Sequence, residues 1–130
     1  CQQEKPEMVV GTGIDVVRID RLRAALLRHP QRLPRRLFGP SEIEGGGQVE
    51  RLAQLFAVKE AASKALGTGF QRGLRWHDFE VRLDPGQTTI VLSGAARRRA
   101  AELGVSRLTA AVRAVGGFAV GIVSAEGSRP

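Results

Sequence analysis

Glu60 and Lys64 stand one helical turn apart in the stretch FAVKEAASKALGTG, and Phe56 precedes them at the same spacing, so all three share one helix face. The chain has 20 Lys and Arg residues, but only Lys5, Lys59 and Lys64 are lysines. Two of the three flank Glu60. Ala57, Ala61, Ala62 and Ala65 surround the face with small side chains, which let another backbone or a ligand approach closely. Taken alone, Glu60 and Lys64 read as a surface ion pair worth about 0.3–0.5 kcal/mol.

A second carboxylate changes the reading. Asp15 lies at the end of a strand-like run, MVVGTGIDVV, between apolar Ile14 and Val16. A charge in such a run is costly to bury unpaired. If the strand packs beside the helix, Asp15 and Glu60 converge. Two carboxylates plus phosphate oxygens suit Mg²⁺, which keeps several waters and takes few protein ligands, with Mn²⁺ as an alternative. Lys64 then faces the phosphates as a compact point charge, a task for an ammonium rather than a guanidinium fork. The plainer reading of Asp15, a helix cap or turn residue before Arg18, leaves its apolar flanks unexplained. Gly67, Thr68 and Gly69 end the helix in a turn that can lie against a nucleotide with little steric hindrance. The earlier Gly11-Thr12-Gly13 is not a dinucleotide fingerprint, since it lacks the third glycine and the helix directly after it.

The elements that position these residues follow from periodicity. Residues 8–17 read as a strand in which Gly11 and Gly13 signal close backbone approach. A helix over 18–30 carries the apolar stripe Ile19, Leu22, Leu26 and Leu27, with Arg18, Arg21, Arg23 and Arg28 largely off it. Residues 32–38 form a short basic helix or turn. In PSEIE, Ser41 and Glu44 have the spacing of a capping box. The long helix runs over 49–66 with Gly67 as a left-handed cap. Residues 70–76 form a loop with Trp76 as a packing anchor. Residues 78–84 and the strand TTIVL form a hairpin about Pro85-Gly86. A helix spans 94–104, with Arg97, Arg98 and Arg99 as its solvated face, and a second hairpin turns at Gly116-Gly117. His29 and His77 have no nucleophile or ligand partner nearby and read as surface histidines. The class is α+β, an antiparallel sheet packed around a long central helix.

At 130 residues the chain fits one domain, with 42% hydrophobic residues and a net charge of +7. The charge points to an anionic partner. No apolar run is long enough to span a bilayer, and a single cysteine cannot form an internal disulfide. The opening CQQEKPE has no apolar core of a secretory leader. Residues 1–7 read as an extension or tag remnant before Met8, with residues 8–130 as the single domain in a cytoplasmic protein.

GTGIDVVRIDRL, FAVKEAASKALGTG and FEVRLDPGQTTIVLSGAA, in that order, resemble holo-[acyl-carrier-protein] synthase, the small type of 4′-phosphopantetheinyl transferase. The resemblance spans nearly all of residues 8–125. It implies transfer of the 4′-phosphopantetheine arm of coenzyme A to a serine of an apo acyl carrier protein in fatty acid or polyketide synthesis, with release of 3′,5′-ADP. It also implies a homotrimer with active sites between subunits. By resemblance, Asp15 and Glu60 hold the metal, Glu60 and Lys64 are catalytic, and Lys64 with Gly67, Thr68 and Gly69 binds coenzyme A. Arg21, Arg28, Arg35 and Arg36 dock the acidic carrier protein. The sequence departs from the family pattern at Leu55, where many members have Arg, at Thr109, where many have His, and at Ala114. These departures motivate one rival, a catalytically impaired relative that binds coenzyme A or a carrier protein. A basic nucleic-acid-binding module is a weaker rival, because no Tyr is present and the five Phe are not spaced for stacking.

Overall fold

Five strands form one antiparallel sheet in the order β1-β5-β4-β3-β2, and a 17-residue helix lies across one face of it. The computed structural model describes residues 7–70 and 73–128. β1 (Met8–Arg18) leads through α1 (Ile19–Arg28), α2 (Arg32–Leu37) and α3 (Pro40–Glu44) into α4 (Val49–Ala65). A single 3₁₀ turn at Trp76–Asp78 precedes the hairpin of β2 (Phe79–Asp84) and β3 (Gln87–Leu92). Then come α5 (Gly94–Leu103), β4 (Val105–Val115) and β5 (Phe118–Gly127). The β4–β5 hairpin turns at Gly116 and Gly117, both at positive φ (57° and 81°), the combination that a two-residue hairpin turn requires.

The first strand does not stand alone. β1 pairs along its length with β5, Asp15 opposite Gly121 and Gly13 opposite Val123. It also runs on to Arg18, so Asp15 sits inside the strand and the residue capping α1 is Arg18. Asp15 is therefore neither a strand end nor a helix cap. On α1, Ile19 and Leu22 are buried, whereas Leu27 is 76% exposed and lies outside the packed stripe.

Glycines and alanines set how closely α4 approaches the sheet. A Cβ on Gly13 would collide with the carbonyl oxygen of Ala61, and one on Gly11 with that of Ala65. On β5, a Cβ at Gly121 would lie 2.8 Å from the carbonyl oxygen of Ala57. Ala57, Ala61 and Ala65 recur every fourth residue, so one ridge of α4 rests on glycine backbone along its length. This is the close approach that Gly11 and Gly13 signal in the sequence. The core continues through Val58, Leu66, Phe79, Val81 and Val123, with Leu55 fully buried among them.

Lys59 is fully buried. Its ammonium donates to the Glu42 carboxylate at 2.6 Å, to the Leu37 carbonyl at 2.9 Å and to the Trp76 carbonyl at 3.1 Å. Glu42 is 2% exposed and accepts in turn from the backbone N–H groups of Gly39 (2.8 Å) and Val81 (2.9 Å). The cap of α3 is thus Gly39 with Glu42, not Ser41 with Glu44. Ser41 is exposed and turns its hydroxyl to Glu80. Burial pushes the Lys59 ammonium down while Glu42 pushes it back up. The pair ties α2, α3, the Trp76 turn and β2 to α4. Arg51 fastens the glycine loop after α3 by donating to the carbonyls of Glu42 and Gly46.

Removing one partner of a buried ion pair leaves the other charge uncompensated. Lys59→Met should therefore cost about 3–5 kcal/mol in urea unfolding. Adding Glu42→Gln removes the stranded charge and should return part of that loss. Equal stabilities of the parent and Lys59→Met would contradict this account.

Candidate active site

The glycine seam places the chemistry. Glu60 and Lys64 each precede a seam alanine, so they overhang β1, the edge strand, where Asp15 shares the helix-facing side with Gly13 and Val17. Lys64 Nζ lies 2.8 Å from Asp15 Oδ1 and 3.2 Å from the Ile14 carbonyl oxygen. Asp15 is 16% exposed and Lys64 48%, so the pair lies at the mouth of the site, open to solvent on the lysine side. Glu60 is half-buried. Burial holds its carboxyl above the usual range, the charge of Asp15 pushes it further up, and Lys64 acts against both. Lys64 is itself raised, chiefly through its hydrogen bond to Asp15.

Asp15 and Glu60 feel each other's charge, and the one nearby ammonium, Lys64, is paired with Asp15, so the two carboxylates form a site with unsatisfied demand for positive charge. Among the described residues no cluster of three or more His, Cys, Asp and Glu gathers. The donor set is thus two carboxylates, which fits a hard divalent cation that completes its shell with water and phosphate oxygens. It does not fit a self-contained protein cage.

α4 ends at Ala65 with Leu66 as its cap, and Gly67 and Gly69 both take positive φ (77° and 56°). The turn has no side chain at either glycine. Its backbone donors are all engaged inside the turn: Gly67 N–H with the Lys64 carbonyl (2.9 Å), and Thr68 and Gly69 N–H with the Ser63 carbonyl (3.4 and 3.1 Å). It therefore offers a smooth wall and not an anion cradle. Beside it Phe56, on the face of Glu60, stacks on Trp76 with ring centroids 5.0 Å apart, and Phe70 stacks on the same indole at 3.7 Å. Trp76 is the packing anchor expected.

Arg21 and Arg28 are exposed on α1, and Arg35 and Arg36 are exposed on α2. His77 is an exposed residue whose Nε2 lies 2.6 Å from the Arg35 carbonyl oxygen. Thr109 and Arg113 are exposed on the sheet face that points away from α4, whereas Ala114 is half-buried on the α4 side. Arg99 departs from expectation. It is not part of a solvated face: its side chain is 22% exposed and its Nε donates to the Leu66 carbonyl at 3.2 Å. The expectation for residues 1–7 lies outside the described residues except at Glu7, which is exposed and pairs with Arg107 at 3.1 Å. Among the described residues no helix is long and apolar enough to cross a membrane.

The family model for the 4′-phosphopantetheinyl transferase superfamily matches residues 11–123. The chain is 40% identical over 110 residues to a holo-[acyl-carrier-protein] synthase of Solibacter usitatus, covering 81% of this chain and 88% of that one. It is 48% identical over 104 residues to that of Halorhodospira halophila, covering 76% and 82%. The crystal structure of the Helicobacter pylori holo-[acyl-carrier-protein] synthase, in complex with coenzyme A, superposes with a TM-score of 0.79 at 30% identity over 88% of this chain and 98% of that one. The chain belongs to the 4′-phosphopantetheinyl transferase superfamily, and is a transferase of that family. The relatives it matches over most of their length carry the more particular name holo-[acyl-carrier-protein] synthase.

Because the folded-state value of Glu60 is raised, its ionised form works against folding. This penalty is fully present above the folded value, and it disappears as pH falls below the value in the unfolded chain, about 4.3. Glu60→Gln should therefore raise the melting temperature at pH 7 and lose that gain near pH 4. A variant less stable than the parent at pH 7 would show that Glu60 is not held against its neighbours' charge.

Proposed function

We propose that the protein transfers the 4′-phosphopantetheine arm of coenzyme A to a serine hydroxyl of an apo acyl carrier protein and releases 3′,5′-ADP. The observation that carries this reading is the meeting of Asp15, Glu60 and Lys64 at one strand edge, beside a turn without side chains. The family and the coenzyme A complex of the Helicobacter pylori relative support it. Asp15 and Glu60 would hold Mg²⁺, or Mn²⁺ in its place, which would supply charge neutralisation of the diphosphate.

The remaining chemistry falls to the chain's own groups. The serine oxygen forms a bond to the phosphorus that carries pantetheine, and the bond from that phosphorus to the bridging oxygen breaks. Glu60 is the carboxylate placed to accept the serine proton. Lys64 offsets the charge that develops on the departing oxygen. The wall of Gly67, Thr68 and Gly69 lets the nucleotide lie close. Arg21, Arg28, Arg35 and Arg36, exposed on consecutive helices, provide a cationic face for an acidic carrier protein. The reaction belongs in the cytoplasm, where fatty acid and polyketide synthesis use such carriers.

We further propose a homotrimer joined through the sheet face opposite α4. That face exposes Ile14 (58%), Val16 (56%), Ile122 (48%), Val115 (57%) and Phe118 (42%). The strand register puts Ile14 beside Ile122, and Phe118 beside Val115, in one contiguous patch. Monomers rarely leave such a patch in water, and a second copy of the chain supplies a matching surface. Thr109 and Arg113 share this face, which would bring them to a subunit boundary.

Incubation with coenzyme A, Mg²⁺ and apo carrier protein should add the arm's mass to the carrier, and Asp15→Ala or Glu60→Ala should reduce the rate by at least about a hundredfold. No mass gain on any of several carriers, or near-normal turnover in either variant, would sink the reading. Light scattering should give a trimer for the parent, and Ile122→Lys should shift it to monomer with loss of transfer. A parent that is monomeric at micromolar concentration would rule out the proposed assembly.

A further inference from the structure

Lys64 has two competing assignments. Its ammonium donates to Asp15 Oδ1 at 2.8 Å and to the Ile14 carbonyl at 3.2 Å, both on the edge strand β1. The transfer reading needs Asp15 for a divalent cation and Lys64 for the departing phosphate oxygen. With the ion pair in place, neither demand is met. A dication on the same carboxylate would also stand close to the ammonium, and like charges at that range repel, the more so where water is partly excluded. Cation and ammonium are therefore rivals for Asp15.

The two members of the pair differ in freedom. Asp15 is 16% exposed and lies inside a paired strand, opposite Gly121, so its carboxylate stays where the sheet puts it. Lys64 is 48% exposed in the last turn of α4, and its ammonium ends a flexible four-carbon stem. If it leaves its two acceptors, water at the mouth of the site can solvate it. Lys64 is thus the member free to move. Lys59 is the contrast on the same helix: buried, with three acceptors, it has no such freedom.

We propose that Lys64 and the divalent cation exchange on Asp15: Lys64 holds the carboxylate until the cation displaces it, and the displaced ammonium turns to the coenzyme A diphosphate. The inference rests on the transfer reading above. A cation arriving alone must break an ion pair, whereas one arriving with coenzyme A gives Lys64 a new anionic partner. Cation and coenzyme A therefore tighten each other's binding, by the same factor in both directions. Lys64 so regulates when the site fills, favouring cation and nucleotide together over cation alone.

The chain has three lysines, so lysine-selective ¹³C labelling lets the ε-methylene signals be followed one by one. Saturating Mg²⁺ should move the Lys64 signal toward the position of a solvated lysine and leave that of Lys59 in place. Coenzyme A should then move the Lys64 signal again. By calorimetry, Lys64→Met should bind Mg²⁺ at least about fivefold tighter than the parent, Lys64→Arg no tighter, and Asp15→Asn weaker than any of them. Mg²⁺ should tighten coenzyme A binding by a larger factor in the parent than in Lys64→Met. A Lys64 signal that stays in place at saturating Mg²⁺, or a Lys64→Met variant with the parent's Mg²⁺ affinity, would overturn the exchange while the transfer reading stands on its mass gain. A parent that binds no Mg²⁺ even with coenzyme A present removes the metal assignment and the exchange together. Exchange without any mass gain on a carrier would remove the transfer reading alone.

Discussion

The distance between α4 and β1 is the constraint on which the rest of the molecule depends. Wherever the seam passes, the strand has glycine and the helix has alanine. Backbone meets backbone where two ordinary side chains would hold the elements apart. A helix further off the sheet would carry Glu60 and Lys64 away from Asp15. The same contact half-buries Glu60 and sets it within reach of the Asp15 charge, and these two effects, burial first, hold its carboxyl above the ordinary range. Close packing and electrostatic strain are thus two consequences of one geometry. A functional site can hold such strain because Ala57, Ala61 and Ala65 anchor the helix on both sides of it.

The two lysines of α4 divide the work of one chemical group. Lys59 lies one residue before Glu60, about 100° around the helix, and is sealed beneath α3 and the Trp76 turn. There its ammonium satisfies three acceptors, two of them backbone carbonyls that would otherwise be stranded at the end of α2 and in the turn. Lys64 faces outward to Asp15. A compact ammonium with three donors matches the three acceptors of the first environment, and a guanidinium's fork is not needed in the second. The rarity of lysine elsewhere in the chain makes this placement visible. The Lys59 pair also joins the helices bearing Arg35 and Arg36 to the helix bearing Glu60, so the cationic face and the carboxylate site share one rigid support.

Much of this was legible in the sequence. Gly11 and Gly13 inside an apolar strand announced a close neighbour, and the period of Phe56, Glu60 and Lys64 put the three on one helix face. The turn residues Pro85-Gly86 and Gly116-Gly117 marked both hairpins. What stayed hidden was long-range or degenerate. Pairing of the first strand with the last depends on tertiary register that no local pattern encodes. The segment PSEIE holds two carboxylates, and local spacing favoured Glu44 with Ser41. Burial against Lys59 selects Glu42, and that choice is made by a residue far along the chain. Arg97, Arg98 and Arg99 are equivalent on paper, and only the placement of α5 beside Leu66 singles out the third. Signals carried by local sterics survive in a single sequence, while those carried by pairing across the fold do not.

The account stands on Asp15 and Glu60 jointly holding a divalent cation against the coenzyme A diphosphate. The most direct measurement is a crystal structure with coenzyme A and Mn²⁺, in which anomalous scattering locates the metal. The account predicts one peak bridging a carboxylate oxygen of Asp15 and one of Glu60, with diphosphate oxygens on its open side. A metal bound by the diphosphate alone, or held at other residues, would contradict it.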